Sequence, residues 1–254
     1  MALDFNGSNE ALLVGSGAGV PITAVPLTMA CWINPDALAG SMGVMSLARN
    51  NNIALNYFEL AVSSDGTVRA LTKEASTSGE AVSAAGLSIN NWHHIGMVTA
   101  SSTSRYAYLN GVPGSHEETD KTPASISNAA IGSRMDSGPS RYFNGQIAEC
   151  GWWNAALTTA EMAALAAGVS PLMIRPASLV AYHPLDLVAT QRLDRTSTGF
   201  NLPDGNAGDA TALAPPLLKP TAQILQFPTA AAPGGATPKN PFGWPLKGPL
   251  VGPM

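Results

Sequence analysis

The chain is short of charge. Only 12% of its 254 residues are Asp, Glu, Lys or Arg, and aromatic residues supply a mere 6%. With 45% apolar residues it still has the material for a sizeable core, unlike the charged, apolar-poor mixtures that stay disordered. A net charge of −4 and no basic stripe give a phosphate backbone nothing to hold, so nucleic acid is not an expected partner. Cysteine is nearly absent. Cys31 and Cys150 fall on separate predicted strands, and both a bridge and two buried thiols stay open. Long apolar runs are missing too: Gly, Pro and Asn interrupt them before they reach the ~20 residues of a membrane span. The MALDFNG start enters a strand at once, without a basic n-region or apolar h-region, so no signal peptide is expected. There is no Gly-rich phosphate loop, no nucleophile elbow and no Cys/His zinc spacing.

What is present is alternation. Trp92 to Thr99 places Trp92, His94, Gly96 and Val98 on one side and His93, Ile95, Met97 and Thr99 on the other. After a Ser/Thr-rich turn, Arg105 to Leu109 alternates again. Asn110-Gly111 then offers the dipeptide that best tolerates positive φ in a tight hairpin. Further strands are predicted over Ala2–Phe5, Ala11–Val14, Leu27–Ile33, Val44–Ala48, Tyr57–Val62, Thr67–Thr72, Ser125–Ile131 and Gly145–Trp153. The third stops at Pro35, which cannot donate to a ladder. Glu74 to Ala85 is small and polar and reads as a loop or a weak strand around Glu80 to Ser83. Val112 to Thr122 reads as an exposed strand and loop.

One helix stands out. Thr158-Thr159-Ala160-Glu161 is a capping box, Leu157 and Met162 are placed as its hydrophobic staple, and Gly168 supplies the stop.

These fragments resemble a known family in type and order. The Trp-His-His strand with its Tyr-x-Leu-Asn-Gly hairpin is similar to the concanavalin A-like jelly roll of the laminin G and pentraxin type. Ala2 to Gly7, Met29 to Pro35, Asp65-Gly66, Ile131-Gly132, Tyr142 to Glu149 and Trp153 to Glu161 extend the resemblance over roughly residues 2 to 170. It implies an all-β protein, a laminin G-like antiparallel β-sandwich with one short helix. SLVAYHPLD (Ser178 to Asp186), with Leu193-Asp194-Arg195 after it, looks like the strand that usually opens this family, yet it follows the helix. It reads either as an added hairpin or as a strand filling a sandwich edge. The expected organisation is a sandwich over 1–170, a β-extension over 171–213 and an extended arm over 214–254.

The arm differs in composition. From Pro215 onward it holds ten of the twenty prolines, three lysines and no acidic residue, so it carries about +3 against about −7 for the rest. Such a segment cannot build a core and is expected to run extended. Its large apolar groups are Leu217, Leu218, Ile224, Leu225, Phe227, Phe242, Trp244, Leu246 and Leu250. They read either as folded back on the chain's own domain or as partner-binding residues that dock in a groove of another subunit.

Chemistry is harder to find. A glycosidase of this fold needs paired carboxylates, and the closing strand offers Glu149 alone. His93 and His94 are adjacent on a strand, point to opposite faces and cannot share an ion. No cofactor is expected. The resemblance makes calcium the one ion to consider, with Asp136, Asn144, Asp204 and Asp209 as candidate loop ligands. A sugar platform would come from Trp152 and Trp153, one facing in and one out, or from Tyr106 and Tyr108.

The sequence therefore reads as a non-enzymatic structural or adhesion module of a larger assembly, anchored by its arm to other structural subunits or to itself. In composition and fold it resembles accessory proteins of bacteriophage particles (decoration, cement or tail-associated), which places it in a virion. The alternative is a soluble lectin-like glycan-binding module, with calcium or Trp153 in its site, in the cytoplasm or outside the cell without a cleaved signal peptide.

Overall fold

The structure is a computed structural model that describes residues 2–14, 20, 22–49, 55–136, 138–186, 193–202, 210–211 and 214–217. Two antiparallel sheets stack face to face. One sheet contains β1 (Ala2–Asn6), β3 (Leu27–Pro35), β8 (His93–Ser101), β9 (Ser104–Leu109), β10 (Val112–Glu117), β14 (Asn144–Trp153), β15 (Leu179–His183) and β16 (Ala210–Thr211). Its order is β10-β9-β8-β3-β14-β1-β16, with β15 also on β14. The other sheet contains β2 (Leu12–Val14), β4 (Met42–Ala48), β5 (Asn56–Val62), β6 (Thr67–Glu74), β7 (Thr77–Gly86) and β11 (Asn128–Ile131), in the order β2-β11-β4-β5-β6-β7. A short ribbon, β12 (Arg134–Met135) and β13 (Pro139–Ser140), pairs with neither sheet.

The period of two explains the stacking. Phe58, Leu60 and Val62 from β5, Val68 and Ala70 from β6, and Ile95 and Met97 from β8 all point into one inter-sheet core. At Asn110-Gly111 both residues take positive φ (50° and 81°), as a tight hairpin between twisted strands requires. The segment left open between loop and weak strand is the ten-residue β7, paired along β6. Its small polar residues hide the pattern, since β7 pairs on one side only.

The outer face of the eight-stranded sheet is partly roofed by α1 (Thr159–Ala166). The capping box forms as written: the Glu161 amide donates to Thr158 Oγ1 at 3.3 Å, and the Thr158 amide donates to Glu161 Oε2 at 2.7 Å. Such a cap contributes about 1 kcal/mol. Leu157, Met162 and Leu165 then bury Ala30, Val98, Tyr108 and Trp153 beneath the helix. Arg175 ties Glu161 to the following loop through an Nε–Oε1 contact of 2.6 Å.

β14 is longer than either neighbour on its free side. β1 pairs its first half, Asn144 to Ile147, and β15 pairs Cys150 to Trp153. A bulge separates the two stretches at Glu149, whose φ is +57°. β15 thus fills the part of the β14 edge that β1 leaves open, which decides between the two readings of SLVAYHPLD. Asp194 holds the following turn, accepting from the amides of Tyr182, Thr196 and Phe200 and the hydroxyls of Thr196 and Thr198. These donors hold its carboxyl below the usual range, against the opposing effect of burial. Cys31 and Cys150 are free thiols, both buried in the core.

Candidate functional site

Among the described residues, a polar cavity lies on the outer face of the six-stranded sheet. Its floor is a grid set by register: Tyr57, Lys73 and Ser78 form one cross-strand row, and Glu59, Leu71 and Glu80 the next. Ala61 and Arg69 begin a third row. Cross-strand partners share a face, so these side chains all leave the sheet away from the core. The cavity encloses about 270 Å³, enough for a ring-sized ligand and just under the ~300–1,000 Å³ of drug-sized sites.

One wall is Arg141, in the chain just after the β12–β13 ribbon. β4 lets the ribbon approach because residue 43 is glycine; a Cβ there would stand 2.5 Å from the Arg134 amide nitrogen. Ser46 Oγ fastens the same stretch, donating to Ser133 O and accepting from the Met135 amide. Arg134 lies over the Tyr57 ring, its Cζ 5.3 Å from the centroid, and pairs with Asp136 at 2.8 Å. Arg141, with φ +51°, swings over the cavity and donates to Ser41 Oγ at 3.0 Å.

Glu59 is the unusual member. Its side chain is 0% exposed, and neither carboxylate oxygen accepts a hydrogen bond among the described residues. The closest cation is Arg141, Nη1 to Oε2 at 3.9 Å, too long for a hydrogen bond. Burial pushes its carboxyl up to about 7, with Arg134 and Arg141 pulling down and Asp136 and Glu80 pushing further up. Burial, and then the Glu59 charge, likewise raises the Tyr57 phenol. Around Glu59 the charges are unequally matched. Arg69 is spent on Glu80 at 2.7 Å, whereas Lys73 has no carboxylate partner among the described residues.

The residues singled out from sequence fare differently. Trp152 and Trp153 do face opposite ways, but both are 0% exposed: Trp152 is in the inter-sheet core and Trp153 lies under α1. Trp153 donates its indole N–H to Ile174 O at 2.8 Å. Neither offers a sugar platform, because the helix roofs the outward face. Tyr108 is buried against the helix, with its hydroxyl 3.1 Å from Thr159 Oγ1, and Tyr106 stacks on His116. His94 is buried edge-on to Trp32, and desolvation drives it down to about 3. His93 sits on the other face among Ser88 and Asn110.

Glu149 accepts a hydrogen bond from the Tyr182 hydroxyl, and burial raises its carboxyl. Of the calcium candidates, Asp136 is buried and ion-paired with Arg134 rather than open in a loop. Asn144 opens β14 opposite Asn6. Asp204 and Asp209 lie outside the described residues. Among the described residues no group of three or more His, Cys, Asp or Glu is placed to hold a metal, and no helix is long and apolar enough to cross a membrane. Leu217 is half-buried; Leu218, Ile224, Leu225, Phe227, Phe242, Trp244, Leu246 and Leu250 lie outside the described residues.

Residues 6–163 match the family model of the concanavalin A-like lectin/glucanases superfamily (Laminin_G_3). The chain belongs to that family. No curated protein matches it. Among solved structures it is similar to a heptameric SAP-like pentraxin from Limulus polyphemus, at 21% identity over 65% of this chain and 81% of that one, TM-score 0.51. It is similar to domain 4 of AbnA, an arabinanase from Geobacillus stearothermophilus in complex with arabinotriose, at 18% identity over 65% and 76%, TM-score 0.54. It is also similar to the CBM40 module of the Ruminococcus gnavus IT-sialidase, at 12% identity over 62% and 96%, TM-score 0.51. That module is also known bound to α2,3 sialyllactose. At these identities the likeness establishes the fold, a lectin-type sandwich.

Proposed function

We propose that this protein is a carbohydrate-binding module and that its site is the polar cavity over β5, β6 and β7. The observation that carries the reading is Glu59, a buried carboxylate with no hydrogen-bond donor, on the floor of a cavity rimmed by Arg69, Lys73, Arg141 and serine hydroxyls. Leaving such a group unsatisfied costs about 1–3 kcal/mol or more, and a hydroxyl-rich ligand that displaces Arg141 from over it supplies the missing donors. The solved modules bound to arabinotriose and to sialyllactose support it by fold. The reading is non-catalytic, since Glu59 has no second free carboxylate across the cavity: Glu80 is held by Arg69.

The test is a glycan array followed by calorimetry. Wild type is expected to bind defined glycans, the double variant Lys73→Ala/Arg141→Ala to lose at least tenfold in affinity, and EDTA to have no effect. Retention of full affinity by the variant, or no binding to any glycan, would end the reading. Loss with EDTA would restore the calcium-dependent alternative.

A second reading rests on the sequence of the C-terminal forty residues. Ten prolines interleaved with Phe227, Phe242 and Trp244 support attachment of the module to a larger assembly, a virion being the setting its composition resembles. The two readings are compatible: one segment attaches and the sandwich binds.

A further inference from the structure

The charges around the cavity narrow the class of sugar. This step rests on the carbohydrate-binding reading above. Three cations reach the cavity, Arg69, Lys73 and Arg141, against two carboxylates, Glu59 and Glu80. Arg69 and Glu80 neutralise each other at 2.7 Å. That leaves Lys73 and Arg141 facing Glu59, and Arg141 only reaches it at 3.9 Å. A neutral sugar would leave this excess of positive charge uncompensated. A ligand carboxylate would engage it, with Arg141 presenting a planar fork that fits a carboxylate bidentately.

The arriving carboxylate also meets a second one. Two carboxylates in one desolvated site do not both stay ionised; they share a proton. We infer that the cavity selects a carboxylate-bearing sugar and that one proton is taken up at Glu59 as that sugar binds. The proton stays on a Glu59 oxygen, turning an acceptor into a donor toward the ligand, and Arg141 is released to the incoming carboxylate. No covalent bond changes.

The groups facing Glu59 leave it as the one that titrates near neutrality. They are Tyr57 on its own strand, Arg69 and Lys73 on β6, Glu80 on β7, Arg134 and Asp136 on the ribbon, and Arg141 beyond it. None is a histidine. Tyr57 stays neutral because its phenol is raised, and Glu80 and Asp136 are each paired with an arginine. Glu59 itself, pushed up to about 7 by burial, is poised between its two forms.

The experiment is isothermal calorimetry on the full chain with α2,3-sialyllactose and trigalacturonate as acidic probes, and lactose and arabinotriose as neutral ones. At pH 6 the acidic probes are expected to bind at least tenfold tighter. Between pH 6 and pH 8 their affinity is expected to fall about tenfold, as the competent protonated fraction falls. Titrations in two buffers of different ionisation enthalpy are expected to show uptake of about half a proton at pH 7, rising toward one at pH 8. Glu59→Gln, checked for folding by its near-UV spectrum, is expected to flatten the pH dependence.

Equal or tighter binding of the neutral probes overturns the acidic class and leaves the module reading standing. Acidic binding without proton uptake overturns the role of Glu59. Failure of every sugar overturns both readings together.

Discussion

At the scale of residues, Glu59 has a consequence independent of any ligand. Its carboxyl is raised from 4.5 to about 7 by burial. Between those pH values the native protein therefore holds a proton that the unfolded chain releases. Its contribution to stability is intact below pH 4.5 and is lost as pH rises through 7, a total of about 3 kcal/mol. His94 and His183 work the other way. Burial depresses them to about 3 and about 4, so stability falls as pH drops from 6.5 toward those values. Urea unfolding of wild type is expected to be most stable near pH 6.5. Glu59→Gln is expected to lose the decline on the alkaline side and keep the decline on the acid side. An alkaline limb identical to wild type would show that Glu59 is ionised in the native state at no cost.

At the scale of elements, the β12–β13 ribbon positions the turn that brings Arg141 to the cavity. It stands on β4 through Gly43 and the Ser46 hydrogen bonds, and it aims Arg134 and Arg141 at the floor. Gly43→Val is expected to lift the ribbon. Glycan affinity should fall at least tenfold, while the melting temperature drops by several degrees, the size of a ~1–3 kcal/mol overpacking defect. Unchanged affinity would place the ligand elsewhere.

This ribbon also marks how far the sequence could be read. Strands with strict alternation, such as Leu27–Pro35 and His93–Ser101, and the capped helix at Thr158 were legible because their signals are local. The ribbon was not, since two-residue strands carry no period. Nor was the cavity. Glu59 in NYFELAV is a visible oddity, a carboxylate between Phe58 and Leu60. Its partners Lys73, Glu80 and Arg141 join it only through strand register and a distant turn. Trp153 misled for a related reason: alternation told that it faces away from the core, but not that α1 covers that face.

At the scale of the whole molecule, the sandwich and the proline-rich segment divide the work proposed here. The segment's role as an attachment arm is tested by light scattering on the full chain beside a version ending at Leu213. Higher mass for the full chain alone is the outcome expected if the arm links copies. If both are monomers, incubation with candidate assembly proteins is expected to recruit only the full chain, and failure there too would dispose of the arm.

The pairing of Ala2 with Thr211 has a mechanical corollary. Adjacent strands lie about 4.8 Å apart, so the first and last paired residues of the sandwich are side by side at one border of the eight-stranded sheet. A force pulling these two residues apart would load the short β1–β16 pairing from its end, so the sandwich is expected to open at this border before its central strands yield. The cavity lies on the other sheet, away from this border.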